Sequence, residues 1–179
     1  MLYSLVKPLL FAIEPELAHE ISLEMLQQFH RAIPEKNISV PTRVMGIDFP
    51  NPVGLAAGLD KNGDYLDGLE KLGFGFIEIG SVTPLAQPGN PQPRLFRLSR
   101  EQSLINRLGF NNKGVEHLLA QVREKPRRCV LGINIGKNLA TPVDQALSDY
   151  TLVYEKVYAP ADYITINISS PNTPGLRDL

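Results

Sequence analysis

Apolar residues recur at helical steps through residues 2–34. Leu2, Val6, Leu9, Leu10 and Ile13 form one stripe, and Leu17, Ile21, Met25 and Phe29 form a second at i, i+4 intervals. Pro15 suits the first turn of the second helix, where its missing N–H leaves no hydrogen bond unmade, and Pro34 ends the pattern. The stripes predict an amphipathic helical hairpin over residues 1–40. It either covers a domain core or lies at an interface as a lipid-facing element. Glu16, Glu20 and Glu24 make the polar face acidic, so membrane contact would have to come from apolar area.

From Thr42 onward the period changes. Residues 42–52 read as a short hairpin. Short apolar runs then alternate with Gly-rich polar loops and helical segments. The strands are 53–57, 76–80, 130–134 and 163–168, and the helices are a segment ending at Leu72, then 114–125 and 143–157. A long Pro-rich insertion, 81–113, carries a strand-like run at 94–98. This order implies a parallel sheet with crossover helices. Four such strands make either a small open α/β sheet or part of a (β/α)8 barrel, which has eight strands and typically ~250 residues. No Gly-x-Gly-x-x-Gly turn follows the first strand, which weighs against a dinucleotide-binding domain, and Gly58-Leu59-Asp60-Lys61 is not a Walker A loop.

Composition narrows the function classes. Eighteen Lys+Arg against 19 Asp+Glu give a net charge of −1, without the basic surplus of a nucleic-acid binder. A single cysteine, Cys129, excludes an internal disulfide and fits a reducing compartment. With three scattered histidines it leaves no zinc cluster, so no metal site is expected. The apolar run 8–13 is far short of the ~20 residues of a membrane span. Glu14 and Glu16 stand where a signal peptide would need small residues. The expectation is a cytoplasmic protein able to touch a membrane surface.

Period-2 alternation places Glu78, Gly132, Asn134, Thr165 and Asn167 on the face opposite the Ile residues of their strands. Asn at the carboxyl end of two strands is where barrel enzymes carry their sites, and an amide can meet the N–C=O edge of a planar heterocycle. Loop-capping asparagines are the bland alternative. Four polar clusters follow the strand regions: Ala56 to Lys61, Asn106 to Asn112, Asn134 to Asn138, and Asn167 to Asn172. Gathered at one end of a sheet, they would suit a flavin-like planar cofactor and an anionic planar substrate. Lys61 and Ser170 stand out as the charged and protic groups.

These motifs resemble the dihydroorotate dehydrogenases. The resemblance rests on Ala57-Gly58-Leu59-Asp60-Lys61, Pro93 to Arg97, Ile105 to Asn112, Gly132 to Asn138 and Asn167 to Arg177, in matching order over essentially the whole chain. The amino-terminal hairpin, with Glu14-Pro15-Glu16-Leu17-Ala18-His19, is similar to that of the class 2, quinone-dependent, membrane-associated members. The resemblance implies a TIM (β/α)8 barrel of which residues 41–179 form about the first half, strands 1–4. It implies FMN held by Ala57, Gly58, Leu59, Asp60, Lys61, Ser81, Asn134 and Asn167. It implies dihydroorotate, converted to orotate, held by Lys61, Asn106, Arg107, Leu108, Gly109, Phe110, Asn167 and Asn172. Ser170 would be the catalytic base, and His19 and Arg97 would lie near the quinone.

The implied setting is pyrimidine (UMP) biosynthesis at the cytoplasmic face of the inner membrane, peripherally bound. Further FMN and substrate contacts, including the phosphate site after strands 7 and 8, would lie beyond Leu179. The chain therefore reads as an amino-terminal half, inactive alone and prone to self-associate unless the other half is supplied. A non-catalytic half-barrel remnant or interaction module is the alternative. An aldolase with Lys61 as Schiff-base amine fits less well, since Asp60 beside it in a polar loop would not depress its pKa.

Overall fold

The computed structural model describes residues 2–122, 127–173 and 175–179. Helices α1 (Leu2–Ala12) and α2 (Pro15–Phe29) form the hairpin. The Glu14 carboxylate caps α2 by accepting from the Leu17 N–H at 2.8 Å, with Pro15 at the first helical position. The stripe Leu17, Ile21, Met25 and Phe29 does not cover the core; these side chains are 47%, 38%, 56% and 58% exposed. The packing seam runs through Glu16, His19, Leu23 and Leu26, again at helical spacing. Leu23 is buried and Leu26 packs on the core. Periodicity marks both stripes, and only the partners on the barrel select between them.

Strands β1 (Thr42–Val44) and β2 (Ile47–Phe49) pair antiparallel. The Phe49 ring meets Phe76 edge-on at 5.5 Å, and Phe76 meets Tyr163 at 6.4 Å. Phe76 and Tyr163 open their strands, so these aromatic rings close the amino end of the sheet.

The main sheet is parallel, in the order β3 (Gly54–Leu55), β4 (Phe76–Val82), β7 (Val130–Ile135), β8 (Tyr163–Ile166). It is a partial (β/α)8 barrel with β3 and β8 at its edges. Strand β3 is shorter than the expected 53–57 because the chain leaves the ladder to cross the end of β4. There Gly58 N–H donates to the Gly80 carbonyl at 2.9 Å, and Gly80 N–H donates to the Asp60 carbonyl at 3.1 Å. The helix expected to reach Leu72 is the short α3 (Leu66–Glu70), β4 extends beyond residue 80 to Val82, and β8 stops at Ile166. The run at 94–98 becomes β5 (Leu95–Leu98), paired antiparallel with an unforeseen β6 (Ser103–Asn106). Helix α4 is Val115–Val122, and the last turn expected at 123–125 lies outside the described residues. Helix α5 is Ala146–Val157, after a 3-10 turn at Val143–Gln145.

One face of the sheet is wholly apolar. Ile77, Ile79, Leu131, Ile133 and Ile135 are fully buried and pack on Leu118, Leu119 and Val122 of α4 and Val153 and Val157 of α5. Each such side chain contributes about 1.5–3 kcal/mol relative to exposure. The same alternation turns Glu78, Asn134 and Thr165 to the other, concave face. In-register pairing of Glu78 with Gly132, and of Gly132 with Tyr163, sets them side by side.

Candidate active site

A cleft of about 950 Å³ opens at the carboxyl ends of the parallel strands. Its floor is Ala56, Ala57 and Gly58, and its walls bring together Lys61, Ser81, Asn134, Asn167 and Ser170. Asn106, Leu108, Gly109, Phe110 and Asn172 close one side, and His19 of α2 stands at the other. An ideal Cβ on Gly58, at φ +105°, would meet nothing within 4 Å, so the backbone there faces open space on which a flat ring could lie.

Asp60 and Lys61 are adjacent but divide the work. Asp60 is 1% exposed, and its carboxylate accepts from the N–H groups of Asn62, Gly63, Asp64 and Tyr65 at 2.8–3.2 Å. Burial pushes this carboxyl up, and the backbone donors pull it back. It folds the loop, and both it and Lys61 line the cleft. Burial lowers the Lys61 pKa, and the Glu16 carboxylate opposes that shift. The expectation of an undepressed lysine is therefore corrected: burial by remote parts of the same chain, absent from a local reading, desolvates it. His19 is also held below its usual range, by burial and then by the Lys61 charge.

Glu16 is 6% exposed and was not foreseen in the site. It takes three contacts of 2.6–3.0 Å from the Arg94 guanidinium and one of 3.1 Å from Gln92 Nε2. Arg94 also donates to the Pro88 and Asn90 carbonyls. The Asn90 amide in turn donates to the Arg107 carbonyl at 2.8 Å and the Asn172 carbonyl at 3.3 Å. The hairpin is thus wired to both loops that close the cleft. Only the spacing of Glu16 after Glu14-Pro15, common to caps and sites, could have flagged it.

Ser170 Oγ accepts from the Asn172 N–H at 3.3 Å, leaving its own proton uncommitted among the described residues. Asn172 Nδ2 reaches Asn106 at 3.4–3.5 Å, joining the two loops. Two arginines lie outside the cleft lining. Arg107 donates to the Pro93 carbonyl and stacks on Phe96. Arg97 donates to the carbonyls of Leu10, Phe11 and Ile13 at the end of α1 and covers the Phe11 ring. Lys137, Asn138 and Asn112, part of the polar clusters, also serve structure. Lys137 is 2% exposed and holds the Asn138 and Thr141 carbonyls. Asn112 and Asn138 pin the 83–87 segment through Thr83, Leu85 and Gln87. By contrast Asn111 Oδ1, in the cleft wall, is buried without a partner among the described residues. No group of three or more His, Cys, Asp or Glu that could hold a metal occurs among the described residues, and no helix there is long and apolar enough to cross a membrane.

A cleft with a small-residue floor, amide walls and two lysines, Lys61 and Lys113, at the carboxyl ends of parallel strands, is a ligand site of the barrel type. Residues 39–179 match the model of the family described as dihydroorotate dehydrogenase. The chain is 58% identical over 183 residues to a dihydroorotate dehydrogenase (quinone) of Pseudomonas aeruginosa, covering 99% of this chain and 54% of that relative. It is 60% identical to one from Saccharophagus degradans with the same coverage. The solved Eimeria tenella DHODH in complex with ferulenol superposes with a TM-score of 0.83 at 40% identity, covering 92% of this chain and 46% of that one. The chain belongs to the dihydroorotate dehydrogenase family, and it spans about half the length of the curated relatives it matches.

Proposed function

We propose that this chain provides the substrate-facing and flavin-facing portion of a quinone-dependent dihydroorotate dehydrogenase, which oxidises (S)-dihydroorotate to orotate on the route to UMP. One observation carries the reading: Lys61, Asn106, Asn134, Asn167, Ser170 and Asn172, from four separate segments of the chain, line one cleft. The cleft fits FMN, since its floor admits a flat ring and Ser81, Asn134 and Asn167 offer polar atoms to the ring edge. FMN, when bound, supplies the two-electron acceptor for the hydride leaving C6 of the substrate. Ser170 takes the C5 proton as its own hydroxyl proton, uncommitted among the described residues, passes on to water. Lys61 pairs with the substrate carboxylate, Asn106, Asn167 and Asn172 fix the ring by its amide edges, and residues 107–110 wall it from water. Arg107 contributes through its backbone, since its guanidinium is engaged elsewhere.

The hairpin of residues 1–40 is assigned to the quinone and the membrane surface, and residues 41–179 to the barrel. His19 stands at the cleft rim as the hydrogen-bonding group for a quinone carbonyl. Arg97 acts there by holding the end of α1. The exposed stripe Leu17, Ile21, Met25 and Phe29 supplies apolar area for peripheral contact with the cytoplasmic face of the membrane.

The test joins residues 1–179 to the remaining length of the Pseudomonas aeruginosa relative. The joined protein should copurify with FMN, bleach on anaerobic addition of dihydroorotate, and recover its colour with a ubiquinone analogue. A folded joined protein that binds FMN but is not bleached would overturn the reading.

A further inference from the structure

Along the concave face of the sheet, within the lining of the cleft, runs a chain of hydrogen bonds that ends on Glu78. Asn167 Nδ2 donates to Ser81 Oγ at 3.1 Å, Ser81 Oγ donates to Asn134 Oδ1, and Asn134 Nδ2 donates to Glu78 Oε1 at 2.8 Å. The other carboxylate oxygen of Glu78 accepts from Tyr163 Oη at 3.0 Å and Thr165 Oγ1 at 3.1 Å. Ser81 and Asn134 are 6% and 5% exposed, so solvent does not compete for the bond between them. Gly132 makes the arrangement possible: an ideal Cβ there would lie 2.2–2.6 Å from the Tyr163 ring, which crosses Gly132 to reach Glu78.

An ionised carboxylate only accepts. The Asn134 amide must therefore turn its NH2 to Glu78 and its carbonyl to Ser81. Ser81 then spends its proton on Asn134, and its oxygen can only accept from Asn167. The carbonyl of Asn167 is taken by the Ser169 N–H at 3.1 Å. Asn167 Oδ1 also takes Ser169 Oγ at 3.4 Å, both amide carbonyls are turned into the relay and loop, and each NH2 keeps one N–H with no partner among the described residues.

We propose that Glu78 is a positioning residue whose charge sets the direction of this relay, so that Asn134 and Asn167 each present a free amide N–H to the cleft. The site then selects a planar heterocycle presenting acceptors, carbonyl oxygens or unprotonated ring nitrogens, at the edge these amides meet. The inference rests on the flavin reading above and deepens it. Glu78→Gln removes the fixed direction, since a neutral amide can donate or accept and Asn134 can turn over.

The joined protein is titrated with FMN, with 2-thio-FMN, in which one carbonyl acceptor is weakened, and with 5-deaza-FMN, in which an acceptor nitrogen becomes C–H. The parent should prefer FMN over at least one analogue by tenfold or more. Glu78→Gln and Ser81→Ala should each bind FMN at least tenfold more weakly and lose most of that preference. Ser81→Thr, which keeps the hydroxyl, should retain both. In the apo protein, side-chain amide NMR should show slow exchange for one proton of Asn134, at least tenfold faster in Glu78→Gln. Unchanged affinity and preference in folded Glu78→Gln would overturn the relay and leave the flavin reading intact. If Glu78→Gln does not fold, the contrast between Ser81→Ala and Ser81→Thr decides. A parent that binds no flavin would overturn the functional reading, and the apo exchange rates would still judge the relay.

Discussion

Removing the Glu16 carboxylate tests whether the hairpin is an integral part of the site. Its partner Arg94 has a side chain only 10% exposed, and Glu16's own is 8% exposed. Glu16→Ala leaves a buried guanidinium without its countercharge, a change that costs about 3–5 kcal/mol. Arg94 keeps its bonds to the Pro88 and Asn90 carbonyls, which places the expected loss near the lower end, about 3 kcal/mol. Urea denaturation of the joined protein, with and without the substitution, measures it. Replacing both partners by apolar residues, Glu16→Leu with Arg94→Met, should recover most of the loss, because no charge is then stranded. The pair also sets a pH signature. Arg94 holds the Glu16 carboxyl below its ordinary 4.5, so the stabilisation is complete above that pH and is lost as pH falls through the folded value. Glu16→Ala should lack that part of the acid slope. A cost below about 1 kcal/mol, or a double variant no better than the single, would refute the argument.

Four further outcomes are expected. Ser170→Ala in the joined protein should slow flavin reduction by dihydroorotate ~10²-fold or more in a single turnover. Ile21→Glu with Phe29→Glu should cut partitioning onto lipid vesicles by roughly tenfold or more, given ~1.5–3 kcal/mol per buried apolar side chain, and hold stability within about 0.5 kcal/mol; centrifugation and denaturation read the two effects. Gly80→Ala should destabilise by more than about 2 kcal/mol and weaken FMN retention, because its Cβ would lie 2.3 Å from the Asn134 carbonyl oxygen at a φ of +112°. Residues 1–179 alone, with β3 and β8 as open edges, should form dimers or larger species in sedimentation and retain no FMN.

The sequence by itself determined which residues share a face and which motifs end the strands. A period of two is a backbone property, so Glu78, Asn134 and Thr165 were placed opposite Ile77, Ile133 and Ile164 before any contact was known. The loops at 57–61, 106–112 and 167–172 stood out in the sequence as polar clusters after strand regions, and members of all three line one cleft. Tertiary structure decided everything that depends on a distant partner. Helix α2 carries two stripes at helical spacing, and only Arg94, Gln92 and the core could show that the one with Glu16 and Leu23 packs inward. Lys137, Asn112 and Asn138 look like ligands in a linear reading, but buried carbonyls and backbone N–H groups elsewhere claim them. Arg97 and Arg107 have the right charge and position along the chain, yet flexible side chains follow the nearest unsatisfied carbonyls, here those of α1 and Pro93. Local pattern fixes direction along a strand or helix. The partner of a buried polar group is fixed by desolvation, which exists only once the remote chain has closed over it.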